Sequence, residues 1–122
     1  MNFITILFLV FLGGGLGSVS RFGVSKLSTV IFDYKFPLGT LIANTLACLI
    51  LGLTIYFLKD KIDSNKIIKY FIIIGFCGGF STFSTFGLDT IQLFKSGLLT
   101  FGIINILISL SLGFVILWVL VK

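Results

Sequence analysis

The sequence predicts an all-α membrane protein with four transmembrane helices, and two observations carry that expectation. Charged residues cut the chain into four charge-free runs, 1–20, 36–58, 70–88 and 96–121, which are 20, 23, 19 and 26 residues long. A helix needs about 20 apolar residues to cross a bilayer. Hydrophobic residues make up 57% of the chain and charged residues 11%, with a mean hydropathy of +1.22, whereas soluble domains carry about 25% charged residues. A single four-span domain is expected over residues 1–122, with connections too short to hold a soluble unit.

Helix one is expected from about Phe3 to Leu27. No Lys or Arg precedes Arg21, so it lacks the basic n-region of a cleaved signal peptide and reads as a true span. Gly13, Gly14, Gly15 and Gly17 read as helix-packing residues. Helix two is expected from 38 to 58, with Pro37 at its start, where a missing N–H costs nothing. Thr40, Asn44 and Cys48 recur every fourth residue and line one face. Asn44 offers amide donors that suit an anion and a carbonyl that suits a neighbouring helix, so both readings stand at this point.

Helix three is expected from 67 to 94 and holds the most informative stretch, Gly75 to Phe86, with three glycines, four hydroxyls and four phenylalanines. Glycine is costly inside a helix, and hydroxyls in hydrocarbon need partners. A break near Gly78–Ser84 would turn backbone and hydroxyls toward something polar, because irregular backbone survives in lipid only when covered by protein or lining a cavity. If the segment stays helical, Phe80, Phe83 and Phe86 share one sector, and Ser81 with Ser84 and Thr82 with Thr85 form hydroxyl rows. The rings then either pack a core or present their positive edges to an anion. Helix four is expected from 98 to 121, where Gly102, Asn105, Ser109 and Gly113 form a small, polar stripe that suits close packing.

Several classes are excluded. There is no His, so no histidine metal site, and no nucleophile–base pair, so no enzyme is expected. Cys48 and Cys77 both fall inside spans and report on no redox compartment. The net charge of +5 sits at span ends, and Lys59, Lys61, Lys66 and Lys69 are interleaved with Asp60 and Asp63, so a solvated loop is expected and no nucleic-acid partner. No charge is expected within the interior of a span, which disfavours proton coupling through a carboxylate. Lys59, Lys61, Lys66, Lys69 and Lys122 share one side of the membrane, and Arg21, Lys26, Lys35 and Lys95 the other. That near-even split sets only a feeble orientation bias.

The stretches Gly13–Phe22, Gly39–Asn44 and Gly75–Phe86 resemble those of the Fluc (CrcB) fluoride channels, small four-span proteins of bacteria, and the resemblance covers nearly the whole chain. It implies an antiparallel, dual-topology dimer with two pores and a third helix broken mid-membrane. It further implies a sodium ion at the dimer centre, held by backbone carbonyls that correspond to Gly78 and Ser81. By position, Asn44, Phe83 and Phe86 resemble the pore asparagine and phenylalanines, and Ser84, Thr85 and Ser109 the hydroxyl track beside them. Arg21 resembles the basic end of helix one, and Asp89 an acidic position near a pore mouth. Ser18, Phe22 and Ser81 replace Ala, Tyr and Thr, and Asn105 stands where an aromatic or apolar residue is more usual, so it receives no role.

The resemblance implies a passive, fluoride-selective channel in a bacterial cell membrane that exports fluoride from the cytoplasm and so lowers its toxicity. Fluoride and membrane lipid are the expected partners, with a homodimer expected and a heterodimer with a paralogue as the alternative. Two other classes compete: a small four-span drug or cation exporter, and an accessory membrane subunit without transport. The exporter depends on a glutamate in the first span, and helix one has none.

Overall fold

Asn2 opens the first helix by accepting the Thr5 N–H at 2.9 Å, a side-chain N-cap that satisfies a donor the helix cannot. The computed structural model describes residues 2–32 and 36–122, and among them the regular structure is all helical. In chain order the elements are α1 (Phe3–Ile31), α2 (Leu38–Leu58), α3 (residues 67–80), α4 (Phe83–Lys95) and α5 (Leu99–Leu120). A short 3₁₀ turn, Lys59–Lys61, follows α2. Four helical stretches are long and apolar enough to cross a membrane: Phe3–Ile31, Leu38–Lys61, Ile67–Lys95 and Leu99–Leu120. This is a multi-pass membrane protein.

α1 runs on past Leu27 to Ile31, since nothing in Ser28–Ile31 breaks a helix. The expectation that no charge lies inside a span therefore needs correcting. Arg21 sits well within α1 and Asp89 within α4, and each is tolerated because it has a polar partner. The Arg21 Nε–H donates to the Gly79 carbonyl at 3.1 Å, a cation at the C-terminal end of α3 where the helix dipole favours it. Asp89 accepts the Thr40 hydroxyl at 2.8 Å. Lys35, counted above among the charges of one side, lies outside the described residues.

α3 begins with Asn65 Oδ1 accepting the N–H groups of Ile67 and Ile68. It is then wound as a π-helix over Ile67–Cys77 before one α turn, Gly78–Phe80. Such winding is rarely sustained, and here it runs along the glycines of α1. A Cβ at Gly13 would strike the Phe71 carbonyl, and one at Gly17 the Phe76 carbonyl. Gly75 and Gly79 face Gly13 and Gly14 in return. Backbone thus meets backbone across the α1–α3 seam. Gly15 takes no part in it, since a Cβ there meets nothing within 4 Å.

The core is small: Ala43 and Ala47 of α2 pack on Phe80, flanked by Val24, Ile50 and Phe76. On the other side α2 packs on α5, where Gly52 receives Leu120 and Gly113 faces Cys48. The turn from α4 to α5 places Gly97 at φ 82°. There the Gly97 N–H donates to the Phe94 carbonyl and the Leu98 N–H to the Leu93 carbonyl, the Schellman closure that favours glycine.

Candidate functional site

The third span is interrupted at Ser81 and Thr82. Ser81 (φ −82°, ψ 155°) and Thr82 (φ −150°, ψ 121°) are extended, and Thr82 restarts the chain as the N-cap of α4, its Oγ1 accepting the Thr85 N–H at 3.2 Å. The interruption lies in the middle of the expected interval, and Gly78 itself is helical (φ −65°, ψ −36°). A shared stack of Phe80, Phe83 and Phe86 does not form, because the extended pair reorients the chain between them. Phe80 is buried in the core and Phe83 is 82% exposed.

Asn44 holds the interruption open. Its Oδ1 accepts the Thr82 N–H at 2.7 Å and its Nδ2 donates to the Thr82 carbonyl at 3.1 Å. One side-chain amide thus pairs with a backbone amide as a neighbouring strand would. Both readings of Asn44 survive: the pairing is interhelical, and one amide hydrogen is left over.

Asn44, Cys48, Ser81, Phe83, Phe86 and Ser109 line a common groove of about 230 Å³. The Phe83 and Phe86 ring centroids lie 6.0 Å apart with planes tilted by 50°. Among the described residues no charged side chain lines this groove. Of the remaining predicted residues, Ser84 is exposed, its hydroxyl 3.3 Å from that of Thr82. Thr85 instead lines a second groove of about 380 Å³ with Ser25, Thr29, Thr40 and Asp89. The hydroxyl track is therefore divided between two grooves, because α4 turns its successive residues to different sides.

The carbonyls of Gly78 and Ser81 have lost their helical partners. The Thr82 N–H that would close a turn on Gly78 goes to Asn44, and the Thr85 N–H that would reach Ser81 goes to the Thr82 hydroxyl. A Cβ at Gly78 meets nothing within 4 Å, so the backbone there is approachable. As free carbonyl donors the two fit an alkali cation. Among the described residues no group of three His, Cys, Asp or Glu could hold a metal.

Asn105 is the residue that sequence reasoning missed. It is 1% exposed and the largest fully buried side chain of the described residues. Its Nδ2 donates to Thr90 Oγ1 at 3.0 Å, its Oδ1 accepts from the Ser109 hydroxyl at 3.3 Å, and the Thr90 hydroxyl donates to the Phe86 carbonyl at 2.8 Å. The i, i+4 spacing of Asn105 with Ser109 was visible in the sequence. Its contact with Thr90, on another helix, was not.

Residues 8–121 match the family described as CrcB-like protein, Camphor Resistance (CrcB). The chain belongs to that family. It is 37% identical over 105 residues to the fluoride-specific ion channel FluC of Coxiella burnetii (strain CbuK_Q154), covering 85% of each chain. Identity reaches 44% over 109 residues with the fluoride-specific ion channel FluC of Azobacteroides pseudotrichonymphae, across 88% of this chain and 86% of that one. The protein of the same name from Ruminiclostridium cellulolyticum is 39% identical over 99 residues, 81% of this chain and 76% of its own.

Proposed function

We propose that this CrcB-family chain is a passive, fluoride-selective channel, and not an enzyme, that lets fluoride leave the cytoplasm across a bacterial cell membrane and so lowers its toxicity. The observation that carries the reading is the uncharged groove at the interruption of the third span, where Asn44, Phe83, Phe86 and Ser109 converge. Relatives named as fluoride-specific channels support it. A carboxylate in the groove would repel an anion and a lysine could hold it too long. Neutral donors and ring edges bind weakly enough for release, which conduction requires. Ser84 and Thr85 are the further donors of this reading, Ser84 exposed and Thr85 in the second groove.

The working unit is a homodimer in antiparallel, dual topology, with the interruption at mid-membrane and Gly78 and Ser81 at its centre. The near-even basic split supports that arrangement. The Gly78 and Ser81 carbonyls would hold a sodium ion, which when bound supplies a fixed positive charge between the subunits. An exporter of drugs or cations lacks its first-span glutamate here, as the chain has none in helix one.

Fluoride efflux from liposomes containing only the purified protein tests the function. Efflux that excludes chloride is expected. Absence of efflux from a folded dimer would favour an accessory subunit or a heterodimer with a paralogue. Labelling of a cysteine added at the C-terminus is expected from both faces of the membrane, and labelling from one face alone would refute dual topology.

A further inference from the structure

We infer that Asn105, locked in one amide orientation by Thr90, is a positioning residue that turns the Ser109 hydroxyl away from the groove and thereby weakens the hold on an anion there. The inference rests on the channel reading above.

Thr90 has a single hydroxyl hydrogen, donated to the Phe86 carbonyl at 2.8 Å, so toward Asn105 its oxygen can only accept. Asn105 must therefore present its NH₂ to Thr90, at 3.0 Å. Its carbonyl is left facing Ser109, which must donate its own single hydrogen inward, at 3.3 Å. Burial of Asn105 to 1% exposure removes water as an alternative partner. Ser109 consequently shows lone pairs to the groove that it lines.

Two neighbouring donors are committed as well. The Ser81 hydroxyl donates to the Cys77 carbonyl at 3.0 Å, and one Asn44 amide hydrogen is held by Thr82. The second Asn44 amide hydrogen is left for an anion in the groove, and the Thr82 hydroxyl beside it lies 3.3 Å from that of Ser84. The anion gains Ser109 as a donor only by drawing the Ser109 hydrogen off Asn105. At 3.3 Å the Ser109–Asn105 bond is longer than the roughly 2.5–3.0 Å usual for a hydroxyl donor, so the exchange is accessible, yet it subtracts from anion binding each time. The groove is thus kept a weak binder by a relay that begins at Thr90, one helical turn beyond Phe86 on α4.

Thr90→Val removes the acceptor that holds the amide while keeping the side-chain shape. Asn105 then turns its NH₂ to Ser109, since a buried N–H left unpaired is rarer than an underused carbonyl. The Ser109 hydrogen becomes free for the groove. In liposome flux assays, the half-saturating fluoride concentration is expected to fall about two- to tenfold, the range for one hydrogen bond, with maximum flux falling as release slows. Thr90→Ser keeps the hydroxyl and should behave as wild type. In a Ser109→Ala background, Thr90→Val should change neither parameter.

An equal shift in the Ser109→Ala background, or a Thr90→Ser variant that behaves like Thr90→Val, would return Thr90 and Asn105 to packing and overturn the inference. Should Thr90→Val fail to fold, Asn105→Leu with and without Ser109→Ala runs the same cycle, and additivity there is equally fatal. A wild-type dimer without fluoride flux would sink the channel reading itself. Wild-type flux with an unshifted Thr90→Val sinks this inference alone.

Discussion

The two halves of the third span are held in opposite ways. α3 lies against α1 through glycine, with Gly13 and Gly17 set against the Phe71 and Phe76 carbonyls and Gly79 against the Gly14 carbonyl so closely that no side chain fits at these three positions. α4 is held by polar side chains: Asp89 to Thr40, Thr90 to Asn105, and the Thr82 amide just before it to Asn44. In lipid there is no hydrophobic drive between helices, so association comes from close packing or from hydrogen bonds. Close packing dominates before the interruption, where the Arg21–Gly79 bond is added to it, and hydrogen bonds dominate after it. Shape fixes the first half, and directional bonds aim the second, whose residues line the grooves.

The comparison breaks most sharply at Gly17. A valine there would drive its Cβ into the Phe76 carbonyl and to 2.8 Å from the Phe80 nitrogen, backbone atoms that cannot swing aside. Gly17→Val should give no folded protein, read as loss of a monodisperse peak in detergent. A normal peak would mean that the seam is not closed by backbone contact.

Next in size is Asn44→Leu. It leaves both Thr82 groups without their partner, at about 1–3 kcal/mol for each group that stays buried and unpaired. Thermal stability in detergent should fall and flux should be lost. Asn44→Asp keeps the acceptor for the Thr82 N–H but loses the donor and adds a charge to the groove. It should lose flux with a smaller loss of stability. Equal stability losses for the two variants would argue that the Thr82 N–H contributes little.

Phe83→Ile and Phe86→Ile test the polar side in turn. Phe83 is 82% exposed, so its replacement should leave the melting temperature unchanged, while half-buried Phe86 should lose under about 1.5 kcal/mol. Both should stay folded with strongly reduced fluoride flux, because the ring edges are gone. Wild-type flux through either folded variant would remove ring edges from the mechanism at that position.

The smallest effect is expected at Gly15, a glycine of the same cluster as Gly17 but outside the seam. Gly15→Ala meets no atom within 4 Å and exchanges a poor helix former for the best one, a gain of up to about 1 kcal/mol. A destabilised Gly15→Ala monomer would show that the seam is wider than it looks.

Much of this was legible in the residues alone. Four spans follow from where charges are absent, since burying an unpaired charge in hydrocarbon is costly. The interruption near Ser81 follows from glycine and hydroxyls crowded where a helix interior disfavours both. The convergence of Asn44, Phe83, Phe86 and Ser109 was anticipated through family likeness and not through spacing. Periodicity cannot say which faces of α2, α4 and α5 meet.

What only the tertiary structure decided are pairings across helices. Gly13, Gly15 and Gly17 look alike in sequence, yet two of them meet α3 and one does not. Thr85 leaves the groove that Phe86 lines, although the two are adjacent. Arg21 and Asp89 enter spans because partners on other helices, Gly79 and Thr40, compensate them. Asn105 acquires a role only beside Thr90. Sequence period determines the faces a helix has, because it is a property of one backbone. Which face meets which partner depends on crossings between helices far apart in the chain, and only the folded chain supplies them.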